Sequence, residues 1–139
     1  MSSEDNKALL RRFYDEVINK KNLAAIDEFV DPHVIDHALP PGMPGGIEGM
    51  KQVNALCFDA FPDTHFRVED TIAEGEVVVA RLTINATQQG AFMGLPPTGK
   101  HVTVTGITVV CRNSLRIFYH KISCISVVKK QERRISGSI

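Results

Sequence analysis

The first half of the chain carries apolar residues at helical spacing, whereas the second half carries them at every other position. The segment that opens with Ser2 and Ser3 and breaks at Asn22 predicts a long helix. A shorter helix is predicted over Leu23–Val30 and a third over Ile47–Phe61. Between these two, "HVIDHAL" predicts a brief extended segment, and the "PPGMPGG" run predicts a loop. The apolar stripe of the first helix comprises Leu9, Leu10, Phe13, Tyr14, Val17 and Ile18.

From His65 onward the apolar period is two, which predicts strands. A first strand begins at His65, and a second, longer one covers Val78–Ala86. The stretches Val102–Cys111 and Leu115–Val128 predict two more. Three helices followed by long antiparallel strands indicate an α+β domain. We expect one strongly curved sheet that wraps around the long helix and leaves a cone open at one end.

Composition and charge narrow the class of protein. The 139 residues predict a single domain over 1–139, with 129–139 as a flexible tail. The formal net charge is zero and no basic stripe is present, so we expect no nucleic-acid partner. No apolar run reaches the roughly 20 residues of a membrane span. The polar N-terminus and three cysteines without metal spacing predict a cytoplasmic protein with reduced thiols and no metal site.

Several segments together resemble one known family. They are "NKALLRRFYDEVINKKNLAAIDEFVDPHVIDHALPPGMPGGIEGMKQ", "AFPD", "VEDTIAEGEVVVAR" and "GLPPTGKHVTVTGI". In order and spacing they resemble the SnoaL-like polyketide cyclases of the NTF2-like superfold. The resemblance implies a cone in which three N-terminal helices pack in a strongly curved antiparallel sheet, and a homodimer that forms through the sheet. It also implies cofactor-free intramolecular aldol ring closure of a polyketide ester.

The resemblance weakens at the positions that carry the family's chemistry. The catalytic aspartate of the family, two residues beyond a histidine, falls on Ile122, and that histidine matches His120. A second family histidine is replaced by Thr108, and an asparagine on the short extended segment is replaced by Asp36. The resemblance therefore predicts the fold, but it does not carry over the mechanism.

Ring closure needs a base to remove a carbon-bound proton, and three residues are candidates for it. These are His37, His120 and Asp36. Adjacent residues on an extended segment point in opposite directions, so one of Asp36 and His37 faces the pocket, and we favour His37. The predicted ligand contacts are Phe13, Phe58, Phe61, Gln88, Met93, Thr108, Phe118 and Ile122.

Three functions stay open on the sequence. The first is a cofactor-independent cyclase or isomerase that uses a histidine as acid and base on a small apolar carbonyl or aromatic compound. The second is a non-catalytic binding protein that has lost the family's aspartate, as Ile122 suggests. The third is a divergent protein whose altered last strand serves mainly a dimer interface.

Overall fold

The helices lie in the first half of the chain and four of the five strands follow them, as the periodicity predicts; the first strand lies between the last two helices. The computed structural model describes residues 2–92, 94–112 and 117–129, of which 118–129 are described by their backbone. The predicted α+β class is confirmed, and no described helix is long and apolar enough to cross a membrane. The helices are α1 (Ser3–Phe13), continued by a π-helical segment (Tyr14–Asn19), a 3-10 turn (Leu23–Ala25), α2 (Ile26–Phe29) and α3 (Gly46–Ala60). The strands are β1 (Val30–Asp36), β2 (His65–Glu74), β3 (Val77–Thr87), β4 (His101–Arg112) and β5 (Ile117–Lys129).

The first helix begins at a capping box. Ser2 Oγ accepts a hydrogen bond from the Asp5 backbone N–H, and the Asp5 carboxylate accepts one from the Ser2 backbone N–H, both at 3.1 Å. Leu10, Phe13 and Val17 of the predicted stripe are buried against the sheet. The predicted helix is therefore confirmed, and its second half winds as a π-helix.

The second helix is shorter than predicted, and the strand after it is longer. The α-helix ends at Phe29, because Val30 adopts an extended conformation (φ −122°, ψ 132°) and pairs with Ile117 of β5. Asp31 Oδ1 accepts a hydrogen bond from the His33 backbone N–H at 2.8 Å, which spans the proline between them. The prediction of a helix through Val30 is wrong at this end, and the brief extended segment is a seven-residue strand.

The sheet has the strand order β1-β5-β4-β3-β2. Strands β2 to β5 pair antiparallel, as predicted, and β1 adds one parallel pair with β5. Bulges interrupt the register between Val68 and Asp70 and between Thr105 and Gly106, where they increase local twist and bend the sheet. Val78, Ala80 and Leu82 of β3 are buried on the concave face, in the same apolar core as α1.

The outer edge of β2 is covered by side chains from the first helical segment, a set that we call the edge clamp. Asn19 Nδ2 donates to the Phe66 carbonyl oxygen (2.8 Å), and Asn19 Oδ1 accepts from the Phe66 backbone N–H (2.7 Å). The neighbouring bonds run from Arg11 Nη1 to the Val68 carbonyl oxygen (3.2 Å) and from Lys21 Nζ to the Thr64 carbonyl oxygen (3.1 Å). The clamp satisfies backbone groups that an edge strand leaves open.

Candidate functional site

A cavity of about 190 Å³ lies between the first helical segment, the end of β1, α3 and the start of β2. Its walls are largely apolar, which is typical of small-molecule sites. For comparison, an engineered apolar cavity of about 150 Å³ binds benzene. The cavity therefore accommodates an apolar body about the size of one ring. The lining residues are Phe13, Tyr14, Ile18, Asp36, Ala38, Met50, Val53, Asn54, Cys57 and Phe66.

Asp36, at the end of β1, brings a carboxylate to this wall. Val30 and Val34 are buried and Ile35 is exposed, so strand alternation brings Asp36 to the concave face. Asp36 is half-buried, and its Oδ1 accepts a hydrogen bond from the Ala38 backbone N–H at 2.9 Å. His37 is exposed and does not line this cavity. Of the two adjacent candidates, the structure thus places Asp36 at the cavity, whereas the sequence favoured His37.

Tyr14 lies at the junction of α1 and the π-helical segment, with only 2% of its surface exposed. Its ring stacks on Phe66 (5.3 Å between centroids, 15° between planes) and meets Phe13 edge-on (5.3 Å, 75°). Burial raises the pKa of the Tyr14 hydroxyl well above its ordinary value, the Thr108 hydroxyl opposes this shift in part, and the charge of Asp36 adds to it. The phenol is therefore neutral at any ordinary pH.

Two further polar groups of the wall come from α3. Asn54 Nδ2 donates to the Met50 carbonyl oxygen one turn earlier at 2.8 Å, which fixes the orientation of the amide. Cys57 is half-buried, and burial raises the pKa of its thiol. At neutral pH Cys57 therefore presents a thiol rather than a thiolate to the cavity.

Of the predicted aromatic contacts, Phe13 lines the cavity, whereas Phe58 and Phe61 do not. Phe58 packs against the edge of the core with Lys21 Nζ 5.6 Å from its ring centroid. Phe61 packs edge-on against Phe92, with 5.3 Å between their centroids. Both rings therefore pack within the fold and outside the cavity wall.

Gln88 and Thr108, two further predicted ligand contacts, are not among the residues that line the cavity. The Gln88 amide organises the loop between β3 and β4, because it donates to the Pro96 carbonyl oxygen (3.2 Å) and accepts from Thr98 Oγ1 (2.9 Å). Thr108 is fully buried on β4, and its hydroxyl lies close enough to Tyr14 to influence that residue's pKa. Thr108 therefore contacts the site through Tyr14.

Four predicted site residues lie where the structure describes no side chain: Met93, Phe118, His120 and Ile122. The backbone register of β5 pairs His120 with Asp36 of β1 and Ile122 with Thr108 of β4. These pairings put the positions of His120 and Ile122 beside the site, and roles for the four side chains stay predictions. Within the described residues, no three His, Cys, Asp or Glu side chains converge as metal ligands.

The sequence did not single out Tyr14, Asn54, Cys57 or Phe66 as lining residues, because Asn54 belongs to no motif and the other three fit an ordinary helix or strand stripe. One signal was available for Tyr14. A tyrosine within a stripe that a sheet buries must bring its hydroxyl into the interior, where polar groups need partners.

Comparisons with known proteins agree with this architecture. The model of the SnoaL-like polyketide cyclase family matches residues 8–122. A proposed polyketide cyclase from Acidithiobacillus ferrooxidans is 30% identical, with 89% of this chain and 91% of that chain covered and a TM-score of 0.72.

Two less identical structures share the fold. TsrD from Streptomyces laurentii is 22% identical, with 89% of this chain and 90% of that chain covered and a TM-score of 0.80. A SnoaL-like polyketide cyclase from Agrobacterium tumefaciens is also 22% identical, with 97% and 99% covered and a TM-score of 0.75. No curated protein was found to match the sequence.

Proposed function

Because the chain belongs to the SnoaL-like polyketide cyclase family, we propose that it closes a ring in a small apolar carbonyl compound, with Asp36 as the base. The observation that carries this proposal is the position of Asp36, a carboxylate in the wall of a largely apolar cavity. A base must lie within reach of the carbon-bound proton that it removes. A ligand that fills the cavity meets this requirement at Asp36, whereas His37 is not among the lining residues.

The proposed step is an intramolecular aldol addition. The Asp36 carboxylate takes a proton from the carbon next to one carbonyl group, and the C–H electron pair becomes an enolate. The enolate carbon then forms a C–C bond to a second carbonyl carbon of the same molecule. The resulting alkoxide takes the proton back from Asp36, so that the product is an isomer of the substrate. Both reacting groups belong to the substrate, and the sequence of steps requires no cofactor.

The experiment that tests the base uses heptane-2,6-dione, a seven-carbon diketone that can close a six-membered ring. In D2O, exchange of its α-protons reports proton removal even if ring closure is slow. We expect Asp36→Asn to lower enzyme-dependent exchange by about 100-fold or more, the usual contribution of a general base. His37→Gln is the matched control and should retain exchange. Loss of exchange in His37→Gln with retention in Asp36→Asn would assign the base to the histidine.

The second candidate function is ligand binding without catalysis. It is favoured by Ile122, which occupies the position of the family's aspartate and pairs with Thr108 in the sheet register. A binding protein should return its ligand chemically unchanged. Native mass spectrometry of the purified protein, with analysis of the released small molecules, distinguishes the two functions when the released compound is added back. Conversion on re-addition supports the cyclase, and quantitative recovery supports the binding protein.

We also propose that two copies pair through the convex face of the sheet. Ile72 (70% exposed), Val77 (39%) and Ile107 (37%) present apolar surface there, on three neighbouring strands. We expect Ile72→Glu to convert a dimer to a monomer in light scattering. Leu56→Glu, at an exposed position on α3, is the control and should leave the mass unchanged. A monomeric wild-type protein would refute this pairing. The cytoplasmic location stays a prediction.

A further inference from the structure

The hydroxyl of Tyr14 is a buried polar group without a completed hydrogen bond among the described residues. Thr108 of β4 lies close enough to lower the pKa of this hydroxyl. Leaving such a donor unpaired in a protein interior is unfavourable, because the hydroxyl has lost its hydrogen bonds to water. Tyr14 is one of the residues that line the cavity, so an atom of a bound ligand is a partner that could complete this hydrogen bond.

We propose that the Tyr14 hydroxyl donates a hydrogen bond to the carbonyl oxygen of the bound compound, and that it selects neutral ketones of about one ring in size. This inference rests on the proposed function, because it concerns the same cavity. It adds the group that recognises the carbonyl oxygen of the ligand. A phenol that stays protonated donates a hydrogen bond without transferring its proton. Tyr14 is therefore a positioning residue, distinct from the base at Asp36.

The ring of Tyr14 is held firmly enough to aim its hydroxyl. Phe66 stacks on one face of the ring and Phe13 meets it edge-on. The backbone of Phe66 is itself held by two hydrogen bonds with the Asn19 side chain, one donated and one accepted by Asn19. These contacts restrict the donor to a narrow range of positions, and a donor fixed before binding loses little entropy when the ligand arrives.

The negative charge of Asp36 is a second reason why the cavity should select a neutral ketone over an acid. Asp36 lines the same cavity and lies near enough to Tyr14 for its negative charge to act on the hydroxyl. A ligand that carries its own carboxylate would place like charges together in an apolar site, which is unfavourable. A ketone offers an acceptor oxygen without a charge. The cavity should therefore prefer a neutral ketone to an acid of the same size.

Three probes with one ring each test the proposal: acetophenone, ethylbenzene and benzoate. In the wild type, acetophenone should bind about tenfold more tightly than ethylbenzene, which corresponds to one net hydrogen bond. Benzoate should bind more weakly than acetophenone. Tyr14→Phe keeps the ring and should remove the preference for acetophenone over ethylbenzene while ethylbenzene binds as before. Equal weakening of both compounds, or a preference that survives in Tyr14→Phe, would overturn the proposal.

A measurement on the wild type keeps the test independent of how the variant folds. The carbonyl stretch of bound ¹³C-labelled acetophenone should shift to lower frequency than in an apolar solvent, because a donated hydrogen bond weakens the C=O bond. An unshifted band would count against Tyr14 as the donor. The two assignments are tested by different measurements. Asp36→Asn should lose α-proton exchange, which reports the base, and retain the preference for acetophenone over ethylbenzene, which reports Tyr14.

Discussion

Replacement of Asn19 by alanine should both destabilise the protein and loosen the site. Within the described part of the chain, Asn19 is the one residue of the edge clamp that bonds both the N–H and the carbonyl oxygen of a β2 residue. That residue is Phe66. The side chain thereby joins the end of the first helical segment to the strand. Its removal leaves the Phe66 N–H and carbonyl groups without these partners and frees the strand to move away from the helix.

The magnitude follows from the two bonds. Each intramolecular hydrogen bond contributes about 1 kcal/mol net, so the pair accounts for about 2 kcal/mol. Alanine returns about 0.5 kcal/mol through its higher helix propensity. We therefore expect the free energy of unfolding to fall by about 1.5 kcal/mol or somewhat more, since the freed groups lie at a partly buried edge.

Urea denaturation of the wild type and of Asn19→Ala measures this difference. Asn54→Ala is the matched control, because the single bond of Asn54 lies within its own helix and alanine offsets much of the loss. The control should stay within about 0.5 kcal/mol of the wild type. If Asn19→Ala also stays within that range, the clamp does not stabilise the fold. Weaker acetophenone binding in Asn19→Ala should accompany the loss, because Phe66 no longer holds the Tyr14 ring in place.

Two further predictions concern α3. Gly49→Ala should lower the free energy of unfolding by about 2 kcal/mol in urea denaturation, because the added methyl group overlaps the Pro44 carbonyl oxygen. Gly45→Ala, where nothing lies within 4 Å, should be nearly neutral, and equal effects at the two positions would contradict the packing argument. Iodoacetamide at pH 8 should modify Cys57 more slowly than a free thiol, because burial raises its pKa and lowers the thiolate fraction. Acetophenone should slow Cys57 further without affecting Cys111 on the convex face, as peptide mass spectrometry can show; equal protection of both would place the ligand elsewhere.

The parts of the fold that the sequence predicted depend on long, regular periodicity. The stripe through Leu10 and Phe13 predicted the first helix, and alternation over Val78–Ala86 predicted β3. The parallel pairing of β1 had no such signal, because β1 is short, contains Pro32, and takes its partner from the far end of the chain. Strand pairing over long sequence separation depends on tertiary contacts that local patterns do not encode.

The site was predicted in part. Alternation correctly implied that only one of Asp36 and His37 reaches the cavity, and the burial of Val34 decides in favour of Asp36. Val34 is buried because it packs in the core cluster with the helices, and the sequence pattern did not show which face of this short strand would do so. The sequence pattern assigned Tyr14 to the apolar stripe of the first helix. Its proposed role depends on the residues that surround its hydroxyl group, and those residues are distant in sequence.

The parallel pairing of β1 with β5 also has a consequence for the order in which the protein folds. The α1 helix, α3 and the β2–β3 hairpin rest on contacts closer in sequence than the pairing of β1, whereas Asp36 gains its strand partner only when the last strand docks beside it. Contacts between distant segments carry the larger entropy cost of loop closure, so they tend to form late. On a ribosome, the carboxylate wall of the cavity would therefore be completed last, after β5 has emerged. A nascent chain that stops before β5 would hold the helices and the hairpin without the finished cavity.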